Sequence, residues 1–264
     1  MGEQAGSIDL AIENGVGRIV INNPKRHNAI SLAMWESLAR HLDTAAGDPS
    51  VRVLVLQGAG GKAFAAGADI SKFESERASK AASDAYNATS SRASELLYGF
   101  PRPTIAHING YCIGGGLAVA LCCDLRFAET VSRFAIPAAK LGLGYGLDGV
   151  RRLVDVVGGA AAMEIFFTAR QFDATEALRM GLVNQVAPPD QLGQVVDDCV
   201  NRICANAPMT VAAAKAAVRE LAKDAAHRNR AAVDAMVAAC FASADFVEGR
   251  TAFMDKRPPR FQGR

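Results

Sequence analysis

The chain has 264 residues, half of them apolar and 21% charged, with 29 Lys and Arg against 27 Asp and Glu for a net charge of +2. That balance suits a globular protein able to bury a substantial core and excludes a disordered chain, while 24 Gly and 10 Pro exclude collagen-like or low-complexity architecture. With 6% aromatic residues and one Trp, it offers neither the field nor the stacking surface that nucleic acid requires.

The segments Ile8–Glu13 and Val16–Asn22 flank Asn14-Gly15, the pattern of a β-hairpin. Pro24 stops the second strand, and Ser31 is placed to cap a helix running to about Ala46, in which Leu32, Trp35, Leu38, Ala39 and Leu42 recur at helical spacing. Val51 to Leu56 is a β-branched strand, and the order strand, helix, strand returns with Thr104–Ile108, the glycines after it and Asp124–Phe127. The class is α/β with crossover helices. From Asp148 the pattern turns helical over 148–157, 159–168, 174–180, 190–206, 210–223 and 226–242, with one short strand at Leu182–Val186. A division is expected between a core of residues 1–200 and a helical region of residues 201–264.

The longest uncharged run, Pro103 to Cys123, has the length of a membrane span, yet its Pro, His, Asn and three consecutive glycines suit a buried strand-turn-helix. Met1 to Asp9 has no basic or apolar leader pattern, so the expectation is a cytoplasmic protein that engages no membrane. The six cysteines, Cys112, Cys122, Cys123, Cys199, Cys204 and Cys240, show no Cys-x-x-Cys spacing, and the four His lack metal-ligand spacing. Buried free thiols and no metal are expected.

Gly58-Ala-Gly60-Gly-Lys-Ala63 follows a strand and matches the dinucleotide fingerprint in form, but Gly67 interrupts the chain before a helix can start. A phosphate-binding P-loop fails because Ala63 follows Lys62. Two glycine-dense stretches, Ala65–Asp69 and Gly110–Gly116, sit at strand-to-helix transitions. Each can aim a free backbone N–H into a common pocket, and two such donors on one oxygen make an oxyanion hole. The same glycines equally serve close packing of a turn on a strand.

Four stretches closely resemble the crotonase (enoyl-CoA hydratase/isomerase) superfamily in order and spacing: Pro24-Lys-Arg-His-Asn28-Ala-Ile, Ala63-Phe-Ala-Ala-Gly67-Ala-Asp69-Ile, Ile108-Asn-Gly110-Tyr-Cys-Ile-Gly114-Gly115-Gly116 and Cys123-Asp124-Leu125. The similarity continues through Phe166–Thr168, Ala174–Gly181 and the tail containing Glu248, Phe253 and Lys256-Arg257. The resemblance implies a spiral of ββα units with a helical C-terminal region that trimerises, as a homotrimer or a dimer of trimers. It also implies an acyl-CoA substrate, with no cofactor beyond the coenzyme A carried by the thioester itself. Matched residue by residue, it assigns the oxyanion donors to the N–H groups of Ala68 and Gly115. It places Ala66, Asp69 and Ile70 along the adenine and pantetheine path and Arg26 near the CoA phosphates. Phe253 and Lys256 would reach the nucleotide of an adjacent protomer. Arg26 and Lys256 also suit a solvated surface, and Asp69 a helix N-cap.

By the same matching, the two hydratase glutamates fall at Ala118 and Ala138. A methyl group neither moves a proton nor holds a water, and such groups contribute about 10²–10⁴-fold, which argues against ordinary hydration. Tyr145 falls where decarboxylases of malonyl-type thioesters in the same superfamily carry a Tyr, although Ala68 stands where those relatives have His. Tyr145 also suits a half-buried aromatic without a catalytic role. Asp148 is read as a helix N-cap or a base, and Glu164 as an ion-pair partner, while His27 and His107 receive no role. The sequence therefore points to a lyase- or isomerase-type enzyme that stabilises a thioester enolate. Its alternatives are a malonyl-type decarboxylase assisted by Tyr145 and a non-catalytic acyl-CoA-binding protein.

Overall fold

The computed structural model describes residues 6–69 and 78–264. Strands β1 (Ser7–Glu13) and β2 (Val16–Asn22) form the expected antiparallel hairpin, with Asn14 and Gly15 at φ 52° and 82°, the two left-handed positions that such a turn demands. Ser31 caps α1 (Leu32–Gly47) by accepting from the Met34 N–H, and the helix buries Met34, Trp35, Leu38, Ala39, Leu42 and Ala45.

The chain then repeats a unit of two strands and a helix. β3 (Val53–Gly58) and β4 (Ala63–Ala65) come before α2 (Lys80–Tyr98); β5 (Thr104–Ile108) and β6 (Tyr111–Ile113) before α3 (Gly115–Cys122); β7 (Leu125–Glu129) and β8 (Arg133–Ala135) before α4 (Ala138–Leu141). With β9 (Phe172–Asp173) and β10 (Gln185–Ala187), these strands build two sheets of order β1-β2-β3-β5-β7-β10 and β4-β6-β8-β9. The first strand of each unit enters the larger sheet in parallel and the second enters the smaller, so the chain advances as a spiral.

Strand β3 is buried on both faces, which is why its Val53–Leu56 portion is an unbroken apolar run. Leu54 and Leu56 face the main core with α1 and α3, while Val53 and Val55 face a second cluster. That second cluster holds Leu192, Val196 and Val200 of α7 (Leu192–Ala205). The remaining α-helices among the described residues are α5 (Leu147–Thr168), α6 (Ala174–Arg179), α8 (Pro208–Leu221), α9 (Arg230–Ala242) and α10 (Ala244–Met254). Residue 200, set as the end of the core by the sequence reading, lies inside α7. No described helix is long and apolar enough to cross a membrane.

Several elements differ from the sequence reading. Helix α2 was not anticipated, because it buries only Tyr86, Ala93 and Leu97 and is otherwise made largely of Ala and Ser without a stripe of larger apolar residues. Helix α10, capped by Ser243, follows the last helical segment read from sequence, 226–242, and lies within the region of residues 201–264 expected to be helical. The strand expected at Leu182–Val186 forms at Gln185–Ala187, after Leu182 and Val183 have entered the core. Asp148 is not the cap of α5; Gly146 is, and Asp148 lies exposed in the first turn. Of the six free cysteines, Cys112, Cys122 and Cys123 are buried but Cys199, Cys204 and Cys240 only half so. Burial pushes the thiol pKa up at all three buried positions, which disfavours thiolate chemistry.

Candidate functional site

The site begins with a turn that leaves β2. Pro24–Arg26 form a single 3₁₀ turn, and His27 and Asn28 both take left-handed φ, at 50° and 58°. The fully buried Asn28 side chain accepts from the Asn23 N–H at 2.9 Å and donates to the Ala59 and Ala63 carbonyls at 2.9 and 2.7 Å. It therefore fastens this turn to the link between β3 and β4. In Asn28→Asp a carboxylate would face those two carbonyls, and the expected loss is about 2–3 kcal/mol or more. Urea denaturation measures it.

The same turn orders the stretch after β4. The Ala66 N–H donates to the His27 carbonyl at 2.9 Å; the Ile30 N–H donates to the Gly67 carbonyl at 2.8 Å and the Asp69 N–H to the Ile30 carbonyl at 3.2 Å. These bonds make a parallel bridge between Ile30 and Ala68. In such a bridge the facing residue's own N–H and C=O point away from its partner. The Ala68 amide is accordingly no donor in any hydrogen bond among the described residues.

The second amide comes from the other glycine-rich turn. Rather than passing straight from Gly110 into a helix, the chain first makes the short strand β6. Gly114 donates to the Ala135 carbonyl at 2.8 Å and, at φ 54° and ψ −117°, caps α3. Gly115, the first residue of that helix, likewise donates to no described acceptor, as a helix N-terminus leaves its first N–H groups. Gly67 lies between the two amides. It sits at φ 98°, and a Cβ there would stand 3.4 Å from the Gly115 nitrogen and 3.2 Å from the Ile113 carbonyl oxygen. A Cβ on Gly115 would stand 3.7 Å from the Ala68 nitrogen. Two unused donors from separate turns are thus neighbours, and glycine keeps the space between them open.

Around this pair Ala66 and Ala68 are half-buried and Asp69 is buried, whereas Ile70 lies outside the described residues. Ala118 is the one residue between Gly116 and Cys122 of α3 that is not buried. Ala138 opens α4 after Pro137, whose Cδ would be 3.8 Å from a Cβ on Gly114, and is 5% exposed. Neither position brings a carboxylate. Tyr145, in the loop after α4, is half-buried and packs edge-on to Phe166 with ring centroids 5.1 Å apart. Burial raises its phenol pKa, so the hydroxyl stays protonated and able to donate.

Arg26 is exposed on the 3₁₀ turn, and Phe253 and Lys256 are exposed at the end of α10. His27 is exposed and meets the Tyr111 ring edge-on. His107 shares a strand face with Ile105 on the α7 side of the sheet, and burial lowers its pKa. Glu164 pairs with Arg170 at 2.6 Å. Gly58 and Gly60 lead into strand β4 rather than a helix, so the dinucleotide match has no structural counterpart.

Sequence reasoning quoted Asn28 and Asp124 within motifs without giving either a task. Asp124 accepts from the Thr104 N–H and hydroxyl and pairs with Lys215 and Arg219 of α8, both at 2.7 Å, which ties the helical region to β5. An Asx residue beside a turn was the available signal for Asn28. For Asp124 there was none, because the two cations it pairs with are more than ninety residues away in sequence.

The profile of the family described as enoyl-CoA hydratase/isomerase matches residues 11–264. The chain is similar to a crotonyl-CoA hydratase of Syntrophomonas wolfei, with 33% identity over 255 residues and 97% of each chain covered. It is also similar to a 2,3-dehydroadipyl-CoA hydratase of Escherichia coli, with 32% identity over 246 residues, 93% of this chain and 94% of that one. Among solved structures, an enoyl-CoA hydratase/carnithine racemase from Magnetospirillum magneticum superposes with a TM-score of 0.91 at 35% identity, covering 97% of this chain and 96% of that one.

Proposed function

The chain belongs to the enoyl-CoA hydratase/isomerase family, and on that premise we propose that it binds an acyl-CoA thioester and holds the derived enolate between the N–H groups of Ala68 and Gly115. The observation that carries this reading is the pair of neighbouring main-chain amides, each without an acceptor among the described residues. As charge moves onto the thioester oxygen, both donors gain strength where they are already placed, without any reorganisation of the backbone.

The named relatives are hydratases, but the two positions matched to hydratase glutamates are alanines here, so the proposed chemistry is one that needs no carboxylate base. Loss of CO₂ from a malonyl-type thioester meets that requirement. The bond between the α-carbon and the substrate carboxylate breaks, and its electron pair passes through the α-carbon to the thioester oxygen, giving the enolate. A proton from water then adds to the α-carbon and restores the thioester. Tyr145 donates a hydrogen bond that orients the substrate carboxylate so that the breaking bond lines up with the forming enolate, a role that its protonated, half-buried hydroxyl supports.

Arg26 is proposed for the CoA phosphates, and Ala66, Asp69 and Ile70 for the path of the adenine and pantetheine. The protein is further proposed to act as a homotrimer or dimer of trimers, with Phe253 and Lys256 reaching a neighbour's nucleotide. Support for self-association comes from the apolar side chains that the last helices leave exposed, among them Leu221, Phe241, Phe253 and Met254. The missing carboxylates also favour a second reading, a protein that binds acyl-CoA without turning it over.

Incubation with malonyl-CoA, methylmalonyl-CoA and crotonyl-CoA tests both. Release of CO₂ from a malonyl-type thioester with no hydration of crotonyl-CoA is the expected result, and Tyr145→Phe should slow it by about 10-fold or more. Tight binding without product from any of the three supports the second reading, and rapid crotonyl-CoA hydration overturns the first.

A further inference from the structure

The carbonyl of Ile30, which bridges to Ala68, accepts a second hydrogen bond besides that of Asp69. The buried Tyr86 hydroxyl of α2 donates to it at 3.1 Å, and the Tyr86 oxygen in turn accepts from Trp35 Nε1 of α1 at 2.9 Å. Trp35 is the single tryptophan of the chain and is 4% exposed. The chain therefore leaves the Ile30 carbonyl at Asp69 and returns to the same oxygen at Tyr86, and a buried hydrogen-bond chain joins α1, α2 and the Ala68 stretch.

Both lone-pair positions of this carbonyl are engaged, so its direction is fixed from two sides. The Ile30 peptide in turn holds Gly67 and Asp69, the neighbours of Ala68 on either side. A shift of Ile30 moves the Ala68 N–H with it, and an oxyanion donor displaced by a fraction of an ångström loses much of its effect.

We propose that Tyr86 is a positioning residue for the Ala68 amide, acting through the Ile30 carbonyl; this rests on the reading of Ala68 as an oxyanion donor. Tyr86 touches no substrate. It determines how well the thioester oxygen is held, while leaving recognition of the coenzyme A portion to other groups.

The test compares the affinity for butyryl-CoA with that for S-butyl-CoA, a thioether in which a methylene replaces the carbonyl, in the wild type and in Tyr86→Phe. The wild type is expected to prefer the thioester, and Tyr86→Phe to lose about three- to tenfold of that preference, the worth of one neutral hydrogen bond, with thioether affinity unchanged. The infrared stretch of the bound thioester carbonyl should move toward its solution frequency in the variant. Trp35→Phe serves as the control for core loosening: it lowers the melting temperature, keeps the Tyr86 bond to Ile30 and should leave the preference within twofold of wild type. An unchanged preference and carbonyl stretch in Tyr86→Phe overturns the role of Tyr86 while leaving the oxyanion reading in place. An equal loss in Trp35→Phe overturns it as well, since general loosening would then suffice. A wild type that does not prefer the thioester overturns the oxyanion reading and this proposal with it.

Discussion

Ala68→Pro is expected to lower turnover of the malonyl-type thioester by about 10²–10³-fold, the loss found when one oxyanion donor is removed. Proline deletes the single atom on which the proposal depends, the amide hydrogen, and the wild-type hydrogen is bonded to no described acceptor, so its removal breaks no contact within the chain. The bonds that flank it, from Ile30 to Gly67 and from Asp69 to Ile30, use other atoms and remain available. Proline also restricts the residue before it, here Gly67, whose lack of a side chain makes it the residue best able to adapt. Affinity for S-butyl-CoA, which has no carbonyl oxygen, should remain within about threefold, because the lost bond has nothing to hold there. Stopped-assay turnover with a parallel thioether titration measures both quantities, and turnover equal to wild type would remove Ala68 from the chemistry.

The second large effect separates two adjacent glycines. A Cβ on Gly116 would lie 2.0 Å from the Ala65 carbonyl oxygen and 2.7 Å from its carbon, so β4 and α3 would have to part. Backbone cannot swing aside as a side chain does, and Gly116→Ala should cost about 3 kcal/mol or more, at or beyond the upper end for overpacking. A Cβ on Gly115 instead meets nothing nearer than the Gly67 Cα at 3.5 Å, an ordinary contact. Gly115→Ala should therefore change stability by less than about 1 kcal/mol. Urea denaturation of the two variants side by side checks the contrast. Equal losses would mean that the α3 N-terminus does not sit against β4 as described.

The difference explains how the site was legible. The glycines were conspicuous in sequence, and their role as close-approach positions followed from having no side chain. Which glycine meets backbone and which faces open space depends on distances between turns about fifty residues apart. Helix α2 shows the same limit from the other side. Its buried residues are too few and too widely spaced to mark a helix, yet Tyr86 within it carries the bond to Ile30. Asp148 is the converse case: an acidic residue at a helix start suggested a cap, but the backbone turns at Gly146 and leaves it within the first turn.

What the amino-acid order determined by itself was local: the hairpin at Asn14-Gly15, the capped amphipathic α1, the β-branched strand β3, the break in α5 at Gly158 and the absence of carboxylates at Ala118 and Ala138. Each rests on backbone preference, on hydrophobic spacing over a few residues, or on the identity of a side chain matched to a motif. Tertiary structure alone decided that the Ala68 and Gly115 amides are neighbours with no acceptor among the described residues, and that the Ile30 carbonyl takes bonds from Asp69 and from Tyr86, which Trp35 holds in turn. A main-chain N–H is present at every residue except proline, so nothing in a residue's identity marks which ones remain free; only the full set of partners in the folded chain does.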